Sequence, residues 1–187
     1  MPRIDQAKIL ILATDGYERS ELRVPLDELK AKGAEVRIAS LKTGPIRSWD
    51  EKNWGDSVEA DLAAEAVDVE AFDALVLPGG QINPDTLRNE RDAMRVVSDF
   101  VRSGKTVAAI CHAPWLLIEA DALRGRKATS YPSIRTDMVN AGAIWRDEPV
   151  VTDKGIVTSR KPDDLAAFVA KIVEEVEEGR HDRRSAA

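Results

Sequence analysis

The residues best suited to chemistry in this sequence are an adjacent cysteine and histidine, Cys111 and His112. They directly follow an apolar run that ends at Ile110. A cysteine where a strand gives way to a helix lies close to helix amides, which stabilise a thiolate. A neighbouring imidazole can carry a proton. The pair therefore indicates nucleophilic catalysis, with the alternative that a lone cysteine is a small buried hydrophobic residue.

Two other predicted strands end in groups that the same chemistry uses. The first strand runs into a turn that carries Asp15 and Glu18, and the third ends at Gly79 and Gly80. A carboxyl group can transfer a proton, and exposed glycine amides can hold a developing oxyanion. Taken singly, the glycines suit an ordinary turn and Glu18 suits a helix start. The occurrence of all these groups at strand ends favours a site.

The composition excludes several other kinds of site. The chain has 187 residues, with one cysteine, two histidines and a net charge of -6. One cysteine cannot form an intrachain disulfide, and so few soft ligands cannot build a Cys/His zinc site. The acidic balance argues against a dedicated nucleic-acid surface. We predict no metal, no cofactor and no nucleic-acid partner.

The sequence carries no pattern of a membrane or secreted protein. The amino terminus lacks the apolar core of a signal peptide. The longest apolar stretches are about five or six residues, whereas a spanning helix needs roughly 20. We predict no membrane segment and a cytoplasmic, reducing location.

Apolar runs at 8–13, 35–39, 74–77 and 106–110 predict four strands. Three of the four are nearly continuous, which is typical of parallel strands covered on both faces. Helical spacing predicts helices around 22–29, 94–101 and 165–176, the second capped by Asn89, with stops at Gly33, Gly104 and Gly179. The alternation predicts one α/β domain over 1–179, built on a doubly wound, mostly parallel sheet sandwiched between helices. Residues 43–61 fit this pattern least and suggest a loop or short hairpin, and 180–187, which include His181, suggest a frayed, solvated tail.

Several stretches of the sequence resemble the DJ-1/PfpI superfamily. They are Ala-Leu-Val-Leu-Pro-Gly-Gly at 74–80, Ala-Ile-Cys-His-Ala-Pro at 109–114, Leu-Arg-Gly-Arg-Lys-Ala-Thr-Ser-Tyr-Pro at 123–132 and Val-Thr-Ser-Arg-Lys-Pro-Asp-Asp-Leu at 157–165. The resemblance covers nearly the whole chain and fits the PfpI-like branch of intracellular proteases, general stress proteins and deglycase-like proteins. It implies a flavodoxin-like sandwich, similar to class I glutamine amidotransferases, with Cys111 on a strained strand-to-helix turn.

The same resemblance implies roles for the site residues. Cys111 is the expected nucleophile, and Glu18 is the expected acid that hydrogen-bonds its sulfur. Gly79, Gly80 and the backbone amide of His112 are the expected groups of the oxyanion site. Three further residues are expected to line the pocket, namely Asp15, Trp115 and Tyr131.

One expected contact crosses between chains. In PfpI-like proteins the histidine that matches His112 pairs with a carboxylate of a neighbouring subunit. The matching position here is Asp85, where the family often has glutamate. Ala113 is a second departure, because the family usually has glycine there. The resemblance therefore implies a homodimer or higher homo-oligomer with Asp85 near a neighbouring His112.

The expected function is a cysteine-dependent stress-response hydrolase or lyase. Its substrates would be small reactive carbonyls or their protein adducts, as in a glyoxalase or deglycase, or else peptide bonds. Two non-catalytic alternatives remain open: a redox-sensing stress protein with an oxidisable Cys111, and a chaperone.

Overall fold

The structure, a computed structural model, describes residues 3–181. Its strands are β1 (Lys8–Leu12), β2 (Tyr17–Glu18), β3 (Glu35–Ser40), β4 (Gly44–Asp50), β5 (Asn53–Ala60), β6 (Leu62–Ala63), β7 (Ala74–Leu77), β8 (Thr106–Ile110), β9 (Lys127–Ala128), β10 (Ile144–Trp145), β11 (Val150–Asp153) and β12 (Ile156–Ser159). Its helices are α1 (Arg19–Ala31), α2 (Ile82–Leu87), α3 (Arg91–Ser103), α4 (Pro114–Glu119), α5 (Arg135–Asn140) and α6 (Leu165–Glu178). Single 3-10 turns occupy Ile4–Gln6, Ala64–Ala66, Val69–Ala71, Pro132–Ile134 and Pro162–Asp164.

Seven strands form the central sheet in the order β11-β12-β8-β7-β1-β3-β6. Every neighbouring pair is parallel except β11 and β12, which are antiparallel. The prediction of a doubly wound, mostly parallel sheet is confirmed. The four predicted strands correspond to β1, β3, β7 and β8, and the sheet adds β6 at one edge and β12 with β11 at the other.

Helices cover both faces of this sheet, which explains the continuous apolar runs. Along β7, Leu75 and Leu77 pack on one face in a core that includes Phe100 of α3. Val76 points to the other face, where the core includes Phe168 of α6. Because the strand alternates its side chains between two apolar cores, every position in β7 must be apolar.

Glycines end the longer helices where the sequence predicts. Gly104 caps α3 at φ 75, in the left-handed region that glycine adopts without strain. Gly179 caps α6. The predicted N-cap Asn89 is wrong by one residue: Glu90 occupies the N-cap position of α3 without a side-chain capping hydrogen bond, and the Asn89 side chain donates to the Asp85 carbonyl.

The segment that fits the alternation least is a hairpin. Strands β4 and β5 pair antiparallel, and β2 pairs with β4 to complete a three-stranded sheet. Trp49 and Trp54 face each other across the hairpin, with ring centroids 5.5 Å apart in an edge-to-face arrangement. The hairpin alternative for 43–61 is confirmed.

The predicted tail begins against the body of the domain. His181 N donates to the Gly104 carbonyl over 2.9 Å, and Arg180 pairs with Glu70 at 3.0 Å. The His181 ring is largely buried, contrary to the expected solvated position. The rest of the predicted tail, 182–187, lies outside the described residues. Between residues 3 and 181, no helix is both long and apolar enough to cross a membrane.

Asn83, at the start of α2, ties two strand ends together. Its Oδ1 accepts a hydrogen bond from Thr14 N at 2.7 Å, and its Nδ2 donates to the carbonyls of Pro78 and Gly79 at 2.8 and 3.2 Å. The side chain is fully buried, so Asn83→Ala would remove a buried partner from Thr14 N and the Pro78 carbonyl, whereas the Gly79 carbonyl would keep its hydrogen bond from Glu18 N at 3.3 Å. We expect a loss of about 2–4 kcal/mol in the free energy of unfolding, measured by urea denaturation. The exposed Asn89→Ala is the control, expected within about 0.5 kcal/mol of wild type, and equal losses in both variants would contradict the assignment.

Candidate active site

Cys111 lies directly after β8 on the strained turn that the resemblance implies. Its φ is 65, in the left-handed region that residues with side chains seldom adopt. Two hydrogen bonds hold the turn: Cys111 N donates to the Ser159 carbonyl at 3.0 Å, and Tyr131 N donates to the Cys111 carbonyl at 2.9 Å. Strain of this kind persists only where the surroundings impose it, and it is common at active sites.

The carboxyl group beside the thiol belongs to Glu21, in the first turn of α1. Glu21 is completely buried. Its Oε2 accepts a hydrogen bond from Gly79 N at 2.8 Å, while Oε1 has no hydrogen-bond partner among the described residues. Oε1 is thus free to carry a proton, and the carboxyl group as a whole interacts with Cys111.

The prediction that Glu18 contacts the sulfur is wrong. Glu18 is the N-cap of α1: its Oε2 accepts hydrogen bonds from Ser20 Oγ at 2.6 Å and Glu21 N at 2.8 Å. Helix α1 begins at Arg19, one residue after Glu18, so its first turn directs the Glu21 and Leu22 side chains toward the interior. One feature of the sequence could have identified Glu21: it lies about one helical turn after the capping residue Glu18 and directly before the apolar Leu22.

Burial couples the ionisation of this pair. Burial, and then the negative charge of Glu18, raises the pKa of Glu21 to about 8. Burial and the Glu21 carboxylate also raise the pKa of the Cys111 thiol, against the lowering effect of the backbone amides of Gly80 and His112. Two anions side by side in an apolar interior are unfavourable, so the pair keeps a proton near neutral pH.

The two glycines that follow β7, Gly79 and Gly80, have different roles in the site. The Gly79 amide serves Glu21 and not an oxyanion, which departs from the prediction. The Gly80 amide and the His112 amide both interact with the Cys111 side chain. These two amides therefore lie where a group attached to the sulfur would meet them.

The His112 ring links the thiol to a residue that sequence reasoning missed. Its Nδ1 lies 3.1 Å from Cys111 Sγ, and its Nε2 lies 3.1 Å from Ser133 Oγ. Burial lowers the pKa of His112, which favours the neutral ring. A neutral imidazole can accept the thiol proton at Nδ1 while Nε2–H donates to Ser133. No pattern marks Ser133, because the contact depends on how the chain folds after β9.

Two of the three predicted pocket residues pack on the histidine. The Tyr131 ring stacks on His112 with centroids 4.8 Å apart and an interplanar angle of 24°. Trp115 meets the same ring edge-on at 5.3 Å. The third, Asp15, is exposed and accepts a hydrogen bond from Arg47 N at 2.7 Å, so it braces the hairpin.

Asp85 lies on the surface, in the first turn of α2. Within residues 3–181 no hydrogen bond joins its carboxylate to His112 of the same chain. The expected contact with a neighbouring chain stays a prediction.

The sheet and the strained cysteine turn define an α/β sandwich with a cysteine elbow. The chain belongs to the DJ-1/PfpI family, whose model matches residues 7–175. It is 45% identical over 166 residues to a deglycase of Pyrococcus abyssi, covering 89% of this chain and 97% of the relative. It is 46% identical over 162 residues to protein/nucleic acid deglycase 2 of Escherichia coli, covering 86% and 92%.

A solved structure shares both the fold and part of the sequence. It is a two-domain protein of Anabaena variabilis with DJ-1/ThiJ/PfpI-like and ferritin-like domains. The TM-score is 0.86 and the identity is 35%, over 96% of this chain and 52% of that one. The present chain thus spans about half the length of the two-domain protein.

The buried Glu21 carboxyl should make stability depend on pH. Because its folded pKa of about 8 lies above the ordinary 4.5, the folded chain holds a proton that the unfolded chain releases between these values. The stabilisation that the protonated Glu21 gives the folded state is fully present below the ordinary pKa and is lost as pH rises through the folded pKa. The free energy of unfolding falls by up to about 1.4 kcal/mol per pH unit. Urea denaturation of Glu21→Gln between these limits should show a flatter pH profile than wild type. Glu28→Gln, exposed on the same helix, should keep the wild-type slope, and an unchanged slope in Glu21→Gln would contradict the assignment.

Proposed function

We propose that this protein is a cysteine-dependent hydrolase or lyase of the PfpI type that acts on small reactive carbonyls or their protein adducts. The observation that carries the proposal is the position of Cys111 Sγ between two groups that handle protons. His112 Nδ1 lies 3.1 Å from the sulfur, and the Glu21 carboxyl lies beside it. The deglycase names of two relatives support the same class of reaction.

The first chemical step is addition of the thiol to a carbonyl carbon. His112 Nδ1 takes the thiol proton as the sulfur–carbon bond forms, and the π electron pair of the carbonyl moves to its oxygen. The neutral state of His112, favoured by burial, leaves Nδ1 free to act as this base. The amides of Gly80 and His112 donate to the oxygen as its charge develops.

Glu21 is the proton donor of the next step. Its pKa of about 8 keeps the carboxyl protonated at neutral pH, so it can protonate the oxygen to give a hemithioacetal. With methylglyoxal, transfer of hydrogen from the aldehyde carbon to the neighbouring carbon yields a thioester, which water hydrolyses to lactate. Methylglyoxal plus one water balances to lactic acid, and no oxidant or reductant is needed.

A neighbouring subunit completes the site in this proposal. Asp85 of one chain would reach Nε2 of a neighbouring His112, in place of or beside the Ser133 hydroxyl. The exposure of Asp85 leaves it accessible to a second chain. A carboxylate there would stabilise the imidazolium that forms when His112 takes the thiol proton.

The central test is lactate release from methylglyoxal by the wild type, Cys111→Ser and His112→Asn. Cys111→Ser should fall to background, at least about a thousandfold, because it lacks the thiol. His112→Asn should lose about a hundredfold, because it lacks the base at Nδ1. Glu28→Gln is the folding-matched control and should match wild type. Equal rates in wild type and Cys111→Ser would overturn the proposal.

The redox-sensor alternative depends on the same Cys111 thiol, and the same wild-type and variant proteins can distinguish it from the enzyme. A protonated Glu21 could also hydrogen-bond a cysteine sulfinate, which would stabilise an oxidised Cys111. Mass spectrometry after mild peroxide treatment measures that oxidation. The sensor would be favoured over the enzyme if the sulfinate forms and Cys111 supports no turnover, either of carbonyls or of casein as a test substrate for peptide-bond cleavage.

A second prediction separates the two acids at the start of α1. Glu21→Gln should lower the methylglyoxal rate by about a hundredfold, since it removes the proton donor beside the sulfur. Glu18→Gln should keep most of the activity and lose about 1 kcal/mol in unfolding free energy, since it weakens a helix cap. Steady-state rates and urea denaturation of both variants check this. The reverse order of activity losses would restore Glu18 as the acid.

A further inference from the structure

The end of α6 and the residues after it bring three potential metal ligands together. One ligand atom each from Glu175, Glu178 and His181 lies within 4.8 Å of the other two. Glu175 and Glu178 are one helical turn apart on α6. Gly179 then turns the chain with φ 91, so that His181 returns over the last turn of the helix.

Two of these ligand atoms are buried without a hydrogen bond. His181 Nε2 and Glu175 Oε2 are 3.1 Å apart, which is ion-pair distance for a protonated imidazole, but no hydrogen bond joins them. Neither atom has a hydrogen-bond partner among residues 3–181, and Glu175 is only 4% exposed. Buried polar atoms rarely lack a hydrogen-bond partner in folded proteins. A shared cation would satisfy both, because two tetrahedral ligands of one zinc ion lie about 3.3–3.6 Å apart, only slightly more than the distance between these atoms.

The surrounding charges favour a cation at this point. The carboxyl end of a helix carries a partial negative charge, and the last turns of α6 are rich in glutamate. The neighbouring cations are engaged elsewhere: Lys171 pairs with Glu174 at 2.7 Å and Arg180 with Glu70 at 3.0 Å.

We propose that Glu175, Glu178 and His181 form a binding site for a divalent transition metal, best matched by Zn²⁺. An imidazole with two carboxylates suits Zn²⁺, whereas Mg²⁺ and Ca²⁺ prefer oxygen ligands alone. Three protein ligands leave a fourth position for water. The proposal departs from the sequence-based expectation of no metal, which considered cysteine and histidine ligands only.

The site lies at the opposite end of β8 from the thiol. His181 N donates to the Gly104 carbonyl just before β8, and Cys111 follows the last of the five residues of that strand. A metal there would fasten the segment after α6 to the start of β8. The expected effect is on stability and not on turnover, so this proposal and the proposed function fail separately.

Zinc binding is measured by calorimetric titration of tag-free, EDTA-treated full-length protein carrying Cys111→Ser, which removes the competing thiol. We expect one Zn²⁺ per chain, and a tenfold to hundredfold weaker affinity when His181→Ala or Glu178→Gln is added. Glu177→Gln is the matched control: its amide oxygen can still accept the hydrogen bond from Ile4 N, so its affinity should equal that of the parent. Zinc should also raise the melting temperature of the parent and the control, and Mg²⁺ should not.

Cobalt substitution gives a second measurement on the wild type and the same variants. Co²⁺ bound to nitrogen and oxygen ligands gives weak visible bands without sulfur-to-metal charge transfer, and His181→Ala should abolish them. Absence of zinc binding to the parent, unchanged affinity in both site variants, or equal stabilisation by Mg²⁺ would each overturn the site.

Discussion

The contact of Gly79 with Glu21 and Cys111 is the constraint on which the rest of the site depends. A Cβ at residue 79 would stand 2.5 Å from Glu21 Oε2 and 2.7 Å from Cys111 Cβ, so the acid can approach the thiol only because that side chain is missing. The amide of Gly79 then holds the carboxyl at 2.8 Å. One glycine thus provides both the space and the hydrogen bond that fix a buried carboxyl group. It follows β7, which lies beside β8, the strand that Cys111 follows.

The strained turn at Cys111 depends equally on the sheet. Its amide bonds to Ser159 at the end of β12, and its carbonyl accepts from Tyr131 in the segment after β9. Neighbouring elements therefore enforce a backbone conformation that a cysteine would not adopt alone. The same segment supplies the Tyr131 ring that stacks on His112 and the Ser133 hydroxyl at its Nε2. The segment after β9 therefore helps to position both Cys111 and His112.

Sequence patterns predicted the elements well and the acid poorly, for a physical reason. Strands β7 and β8 were found to the residue because both faces must be apolar there. Glu21 left no such mark: it is a single carboxyl on the buried side of an amphipathic helix, and a polar residue at the edge of an apolar stripe looks exposed. The nearby Glu18 had the expected residue type beside the turn, yet its side chain caps the helix. Ser133 could not be predicted, because its contact with His112 depends on tertiary folding.

The arrangement of protons favours addition chemistry over a resting thiolate. Burial raises the pKa of both Cys111 and Glu21 and lowers that of His112, so the resting site avoids charge on all three groups. Among residues 3–181, none of the main groups that shift the pKa of the Cys111 thiol is a lysine or arginine, so a resting thiolate would lack a cationic partner. In the proposed reaction, however, the thiol proton passes to His112 as the sulfur attacks, and the negative charge develops on the substrate oxygen. Charge then forms where the amides of Gly80 and His112 point, which makes ionisation favourable only with a substrate in place.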